Sequence, residues 1–174
     1  KEYLKVYGVL VGKNPLIFTN NDSGYETAIE FKKNGIDSII LDTRKDPKSE
    51  IVDEAKNLGI NIKFSHVVVA AQGYKKVKSA DIAKISDDKE QLGTVENIKC
   101  DCICVSGFWT PTIHLASQSG NKTKFDENID AFVPGTSKQN ETTLGAANGS
   151  FTLNDTLKNS FETAYELSKK ITNN

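Results

Sequence analysis

The chain has 174 residues, of which 37% are hydrophobic and 26% charged, and its formal net charge is -1. That length suits a single domain with a real core. The charges are balanced and interspersed, which argues against a nucleic-acid or anionic-lipid surface. No apolar run approaches the roughly 20 residues that a membrane-spanning helix needs.

There is no Met, not even at position 1, so the chain is expected to be a piece of a longer polypeptide. Lys1-Glu2-Tyr3-Leu4-Lys5 does not read as a signal peptide. The three cysteines cluster in Cys100-Asp101-Cys102-Ile103-Cys104. An odd, clustered count is not a secreted disulfide framework, and a reducing cytoplasm is the expected location.

In chain order, residues 1–10 read as a short helix ending near Gly8 or Gly12, and Pro15-Leu16-Ile17-Phe18-Thr19 as a buried parallel strand. Asn20-Asn21-Asp22-Ser23 is dense in helix-capping side chains, and Gly24 to Lys33 is helical in pattern, stopped by Asn34-Gly35. Ile36 to Leu41 predicts a second strand closed by Asp42. Asp46-Pro47 predicts a helix start, with Ile51, Ala55 and Leu58 on one face and Gly59 as the stop. Ile60 to Phe64 is a third strand. Strand, helix, strand, helix, strand with short joints is a βαβαβ unit with a parallel sheet, a Rossmann-like α/β class.

From His66 the pattern changes. His66 to Ala71, Lys75 to Ile85 and Thr94 to Lys99 predict strands joined by turns at Gln72-Gly73 and Ser86 to Gly93, with no helix between them. These form an antiparallel three-stranded meander. Cys100 to Val105 returns as a central strand ending at Ser106-Gly107. Residues 107–150 read as loop, and 152–171 as a long C-terminal helix carrying Leu153, Leu157, Phe161, Ala164, Tyr165 and Leu167. Residues 1–174 are taken as one dinucleotide-binding-like domain, with 107–174 as a return segment.

A Rossmann unit holds a diphosphate with G-x-G-x-x-G at its first strand–helix turn. Here that turn reads Thr19-Asn20-Asn21-Asp22-Ser23-Gly24, and only the third glycine is kept. Asn21 stands where bare backbone would meet the pyrophosphate, and Asp22 adds negative charge at a helix end that otherwise favours anions. Asp42, 18 positions after Gly24, stands where an acid would accept from a ribose hydroxyl; it equally suits a turn or cap. Asn and Asp can themselves satisfy the free N–H groups of a helix start, so the fold signal is intact and the dinucleotide signal is degraded.

Tyr7-Gly8-Val9, Phe18 to Ser23, Val105-Ser106-Gly107-Phe108-Trp109-Thr110-Pro111, His114 to Gly120, Phe132-Val133-Pro134-Gly135 and Gly145-Ala146-Ala147-Asn148-Gly149 occur in order over residues 3–165. In these stretches the chain resembles the alpha subunits of heterotetrameric sarcosine oxidases; related opine and proline dehydrogenase subunits share parts of the pattern. The resemblance implies the second dinucleotide domain of a glutathione-reductase-like flavoprotein. It implies a parent complex that oxidises sarcosine to glycine, forms peroxide and passes the one-carbon unit to tetrahydrofolate. NAD would belong to the alpha subunit, and FAD and covalent FMN would involve the beta subunit. The partners implied are the other domains of the same subunit and the other subunits. It also implies that Pro134-Gly135 and the loop with Gly145, Asn148 and Gly149 return toward the nucleotide of an upstream domain; an ordinary loop before the last helix explains the same residues.

No catalytic residue stands out. Alternating Cys100, Cys102 and Cys104 would share one strand face, spread about 7 Å per step rather than converging on a metal, and are expected to be packing. His66 and His114 are expected to be structural, and Phe108 and Trp109 to be core. No G-x-S-x-G, H-E-x-x-H or P-loop lysine occurs. The leading expectation is an oxidoreductase domain that serves as a scaffold and is not itself catalytic. The alternatives are a working NAD(P)-binding domain of a related amine, opine or proline dehydrogenase subunit, and a non-catalytic subunit-interface module.

Overall fold

A computed structural model describes residues 2–87 and 91–172. The chain divides into two compact units, Lys1–Phe108 and Trp109–Asn174. The boundary falls at the start of the segment read from sequence as a return.

In the first unit, α1 (Glu2–Tyr7) precedes β1 (Pro15–Thr19), α2 (Ser23–Lys33), β2 (Ile39–Asp42), α3 (Glu50–Asn57) and β3 (Asn61–Phe64). The strands β4 (His66–Gly73), β5 (Val77–Ile85), β6 (Leu92–Lys99) and β7 (Cys102–Ser106) follow. β1, β2, β3 and β7 form a parallel sheet in the order β3-β2-β1-β7, and β4-β5-β6 is a separate antiparallel sheet. The expected βαβαβ sheet, meander and return strand are therefore all present.

Strands β1 and β2 are nearly continuous apolar runs because both of their faces are covered. On one face Ile17 and Ile40 pack with Tyr25, Ala28 and Phe31 of α2 and Val52 and Ala55 of α3. On the other, Leu16 and Leu41 pack with Ala80 and Ile82 of the meander and with Cys100. Each fully buried Leu, Ile, Val or Phe among these contributes about 1.5–3 kcal/mol. The helices thus lie on one side of the parallel sheet and the meander on the other. α2 ends where the sequence placed its stop, with Gly35 at φ +76°.

Several boundaries differ from the sequence reading. β2 begins at Ile39 rather than Ile36, because Ile36 closes the C-terminus of α2 by donating its N–H to the Phe31 carbonyl. α3 begins at Glu50 with Ser49 in the cap position, so Asp46-Pro47 precedes the helix instead of opening it. The return strand starts at Cys102, because Asp101 accepts the backbone N–H groups of Lys13 and Asn14 at 2.8 Å each and forms the corner before β7. Part of the expected turn at Ser86 to Gly93 lies outside the described residues.

The second unit is more ordered than the loop expected there. It holds α4 (His114–Gln118), a hairpin of β8 (Thr123–Asp126) and β9 (Ala131–Pro134), a 3-10 turn (Gly145–Asn148) and α5 (Leu153–Thr172). The Phe125 and Phe132 rings meet edge-on across the hairpin at 5.3 Å, an aromatic cross-strand pair that stabilises two strands. Thr152 caps α5: its hydroxyl accepts the Asp155 N–H at 3.1 Å and donates to the Asp155 carboxylate at 2.6 Å. Among the described residues, no helix is long and apolar enough to cross a membrane.

Candidate functional site

The parallel sheet changes direction at β1: the chain leaves β1 for β2 on one side and returns as β7 on the other. Open α/β sheets bind ligands at such a switch point, beyond the carboxyl ends of the strands. Here Thr19 and Ser106 are register partners at the ends of β1 and β7, and a cavity of about 80 Å³ lies among Phe18, Thr19, Asn20, Thr43, Ser106 and Gly107.

Asn21 ties this turn together. Its Oδ1 accepts the Ser23 N–H at 3.0 Å and the Ser23 hydroxyl at 2.6 Å. Its Nδ2 donates to Asn20 Oδ1 at 3.0 Å and to the carbonyls of Ser106 and Gly107. The Ser106 and Ser23 hydroxyls are 2.6 Å apart. Buried Thr19 closes the loop, donating its hydroxyl to the Asn21 carbonyl at 2.8 Å and accepting the Asn21 N–H at 3.2 Å. One amide side chain thus joins the end of β1, the first residue of α2 and the end of β7. The first N–H of α2 is satisfied by protein.

Gly24 has a steric role. A Cβ there would stand 2.6 Å from Thr19 Cβ, so only glycine lets α2 approach β1 this closely. That matches the third glycine of the Rossmann turn, whose role is helix–strand packing.

Asp42 is fully buried at the end of β2. Its carboxylate accepts the Tyr25 hydroxyl at 2.6 Å, the Arg44 backbone N–H at 2.9 Å, and the Arg44 side chain at Nε (3.1 and 3.2 Å) and Nη2 (2.9 Å). Arg44 Nη1 also lies 2.9 Å from Asp22 Oδ1, an ion-pair distance off the line of a hydrogen bond. Burial works against the Arg44 charge, but the hydrogen bonds to Asp42 and the close Asp22 carboxylate outweigh it and the guanidinium pKa is raised. Burial, then the Asp42 hydrogen bond, push the Tyr25 phenol far above its ordinary value. Both acids singled out in the sequence therefore share one cation. Tyr25 and Arg44 were not singled out there, and Ser106 and Gly107 were named only as the end of the return strand and in a stretch that carries the resemblance. The available signal was Arg44 itself, two residues after an acid expected at a strand end.

Gly145, Asn148 and Gly149 lie in the second unit. Gly149 has φ +84°, and a Cβ on it would approach Ile129 Cδ1 to 2.8 Å. In the same unit, the Glu141 carboxylate accepts from Ser119 at 2.7 Å, Asn121 at 2.6 Å and Ser137 at 3.3 Å. These bonds, Ser119 first, hold its pKa below the ordinary carboxylate value.

The remaining candidates fall as follows. Cys100 is buried, and the Cys102 and Cys104 sulfurs are 3.8 Å apart, closer than the strand step alone suggested. Burial first, then Cys102, push the Cys104 thiol up to about 12. No group of three or more metal-ligating side chains occurs among the described residues. His66 Nδ1 lies 2.6 Å from the Phe64 carbonyl oxygen, and His114 is exposed at the start of α4. Phe108 and Trp109 are 62% and 61% exposed, which corrects their reading as core.

Comparison with known proteins bears on this geometry. No protein-family model matches the chain. The sarcosine oxidase subunit alpha of Corynebacterium sp. (strain P-1) is 30% identical over 153 residues, covering 87% of this chain and 16% of that protein. That of Rhizobium meliloti (strain 1021) is 32% identical over 155 residues, covering 84% of this chain and 14% of that protein. The chain is homologous to a segment of the sarcosine oxidase alpha subunit. It spans about a sixth of the length of those alpha subunits. Among solved structures, an HOCl-induced flavoprotein disulfide reductase from Escherichia coli aligns with TM-score 0.64 and 14% identity over 90% of this chain and 36% of that one. A thioredoxin reductase from T. acidophilum aligns with TM-score 0.56 and 16% identity, over 83% and 50%. These two share the fold with the segment homologous to the alpha subunit.

Proposed function

We propose that the chain is a scaffold portion of a sarcosine-oxidase-type alpha subunit, of the second dinucleotide-domain kind, and that its own switch-point turn does not hold a dinucleotide. The parent complex would oxidise sarcosine to glycine, form peroxide and pass the one-carbon unit to tetrahydrofolate. NAD would sit elsewhere in the alpha subunit, while FAD and covalent FMN would involve the beta subunit. This chain would take no catalytic part. Its partners would be the other domains of its subunit and the other subunits, in the cytoplasm. The similarity over most of the chain to alpha subunits supports the parent assignment.

The observation that carries the scaffold reading is Asn21. A diphosphate at this turn would need the Ser23 N–H, and the Asn21 side chain already takes it. An NAD ribose would need Asp42, whose carboxylate is buried and engaged by Tyr25 and Arg44. The residues present therefore do not fit NAD at Thr19, Asn20, Asn21, Asp22, Ser23 and Gly24. Gly145, Asn148 and Gly149 remain our candidates for a backbone approach to a nucleotide held by the rest of the subunit.

A second reading, a working NAD(P) domain, draws on Gly24 and Asp42 at their expected positions and on Arg44 beside Asp42, where a 2′-phosphate would be met. Calorimetric titration of the full chain with NAD and, separately, NADP decides between the two. No saturable heat with either dinucleotide is expected. Micromolar binding that Asp42→Ala or Arg44→Met weakens would replace the scaffold reading with the second.

A further inference from the structure

Asn-Gly occurs twice in the chain, as Asn34-Gly35 and Asn148-Gly149. Asparagine before glycine is the pair most open to attack by the main chain on the side chain, because glycine has no Cβ to shield its nitrogen or restrict its approach. The attack needs a side-chain amide that is free to turn and a glycine N–H that is not held. It also needs a main chain that can leave its folded conformation. The structure supplies these unequally at the two pairs.

Asn34-Gly35 is fastened. It follows α2, an 11-residue helix anchored by buried Tyr25, Ala28 and Phe31. The Asn34 N–H donates to the Phe31 carbonyl, the Gly35 N–H to that of Lys32 and the Ile36 N–H again to that of Phe31, each at 3.0 Å. The Asn34 side-chain amide donates to the Glu30 carbonyl at 2.8 Å. These bonds close the helix as a C-terminal cap does, and they occupy both reacting groups.

Asn148-Gly149 is held less. Asn148 is the exposed last residue of the four-residue 3-10 turn, and its side chain makes no hydrogen bond among the described residues. The Gly149 N–H reaches the Ala146 carbonyl at 3.3 Å, longer than any bond at the first pair, and a single 3-10 turn has poor hydrogen-bond geometry. Asn148 also lines an open hollow of about 210 Å³ with Ser137, Glu141 and Thr142, so water reaches it.

We propose that Asn148 is a site of spontaneous conversion to aspartate and iso-aspartate, ahead of Asn34. The Gly149 nitrogen forms a bond to Asn148 Cγ and gives its proton to solvent hydroxide. The Cγ–Nδ2 bond breaks, and ammonia leaves with a proton taken from water. Water then opens the five-membered ring. Breaking the bond from nitrogen to Cγ gives aspartate; breaking the bond from nitrogen to the main-chain carbonyl carbon gives iso-aspartate, with the main chain rerouted through Cγ. The net change is amide plus water to carboxylate plus ammonium, with no further reactant. On the reading of Gly145, Asn148 and Gly149 as a backbone approach to a nucleotide, the new negative charge would oppose an anionic phosphate. That consequence rests on that reading, whereas the chemistry at Asn148 stands without it.

The test incubates the full chain at mildly alkaline pH, native and in parallel in guanidinium chloride. Both asparagine peptides are followed by mass spectrometry with electron-transfer fragmentation, which separates aspartate from iso-aspartate. Each native rate is read against the rate of the same pair in the unfolded chain. Asn34 should be slowed by at least about tenfold, because its cap must open first, and Asn148 by less than about threefold. Asn148→Gln should stop conversion at that position and leave the Asn34 rate unchanged. Native Asn34 converting as fast as Asn148, or native Asn148 protected as strongly as Asn34, would overturn the proposal.

Discussion

Arg44→Met is the most informative single perturbation of the first unit. Methionine keeps an unbranched apolar stem but removes the guanidinium, which makes three contacts with buried Asp42 and one with Asp22. Asp42 would keep only the Tyr25 hydroxyl and the backbone N–H of residue 44. Removing one partner of a fully buried ion pair costs about 3–5 kcal/mol. The Arg44 side chain is 32% exposed, so water screens the pair and can replace part of it. That places the loss nearer about 2–3 kcal/mol. Urea unfolding followed by far-UV circular dichroism measures it as a fall in midpoint at constant m-value. Asp42→Asn combined with Arg44→Met should lose less than the two single changes added together, by about 0.5–3 kcal/mol, because the charge left alone by the first is removed by the second. A loss below about 1 kcal/mol, or strict additivity, would mean that Asp42 is solvated like a surface acid and that Arg44 does not hold it.

Other expectations follow from the same geometry. Gly24→Ala should destabilise the chain by about 1–3 kcal/mol through overpacking against Thr19, measured by the same urea melts. Asp101 has its pKa lowered, first by the Lys13 N–H and then by that of Asn14. Its contribution to stability is present above the unfolded value of about 3.9 and is lost as pH falls through the lower folded value. Asp101→Asn should therefore flatten the acid limb of the stability–pH curve. The Cys104 thiol, pushed up to about 12, should hold only about one part in ten thousand of thiolate at pH 8. Its reaction with a thiol reagent should be much slower than that of a free cysteine, and rapid labelling at pH 8 in the folded chain would contradict its burial.

The parallel sheet was legible in the sequence because its strands β1 and β2 are covered on both faces and read as nearly unbroken apolar runs, and short helices between them set the βαβαβ order. Gly24 and Asp42 were legible because spacing along one βαβ unit fixes them. What sequence spacing could not give was the set of partners. Asn21 binds Ser106 and Gly107, more than eighty residues away, and the approach depends on β7 lying beside β1. The hairpin of β8 and β9 was missed because β8 carries a single apolar residue, Phe125, and β9 is an apolar run of only four residues, too short to read as a strand by itself. Phe108 and Trp109 were read as core from their place just after the return strand, and that place does not say whether the pair is covered.

The switch-point turn separates two demands that a Rossmann unit usually meets together. Helix–strand packing needs a glycine where α2 crosses β1, and Gly24 remains because a Cβ would overlap Thr19 whatever the turn binds. Anion binding needs bare backbone and free N–H groups at the preceding positions, and there the chain places Asn21. The amide gives the helix start an acceptor from within the protein and fastens the turn to β7. The turn is then held closed without a ligand, at the cost of the N–H that a ligand would use. Asn21→Gly tests that exchange. It should lower stability by about 1–2 kcal/mol, as loss of a helix-start acceptor and added backbone freedom require. It should also free the Ser23 N–H, so that any dinucleotide affinity the turn can show would rise in this variant relative to the parent chain. A variant as stable as the parent would mean that the Asn21 contacts do not hold the turn, and the scaffold reading would lose its main support.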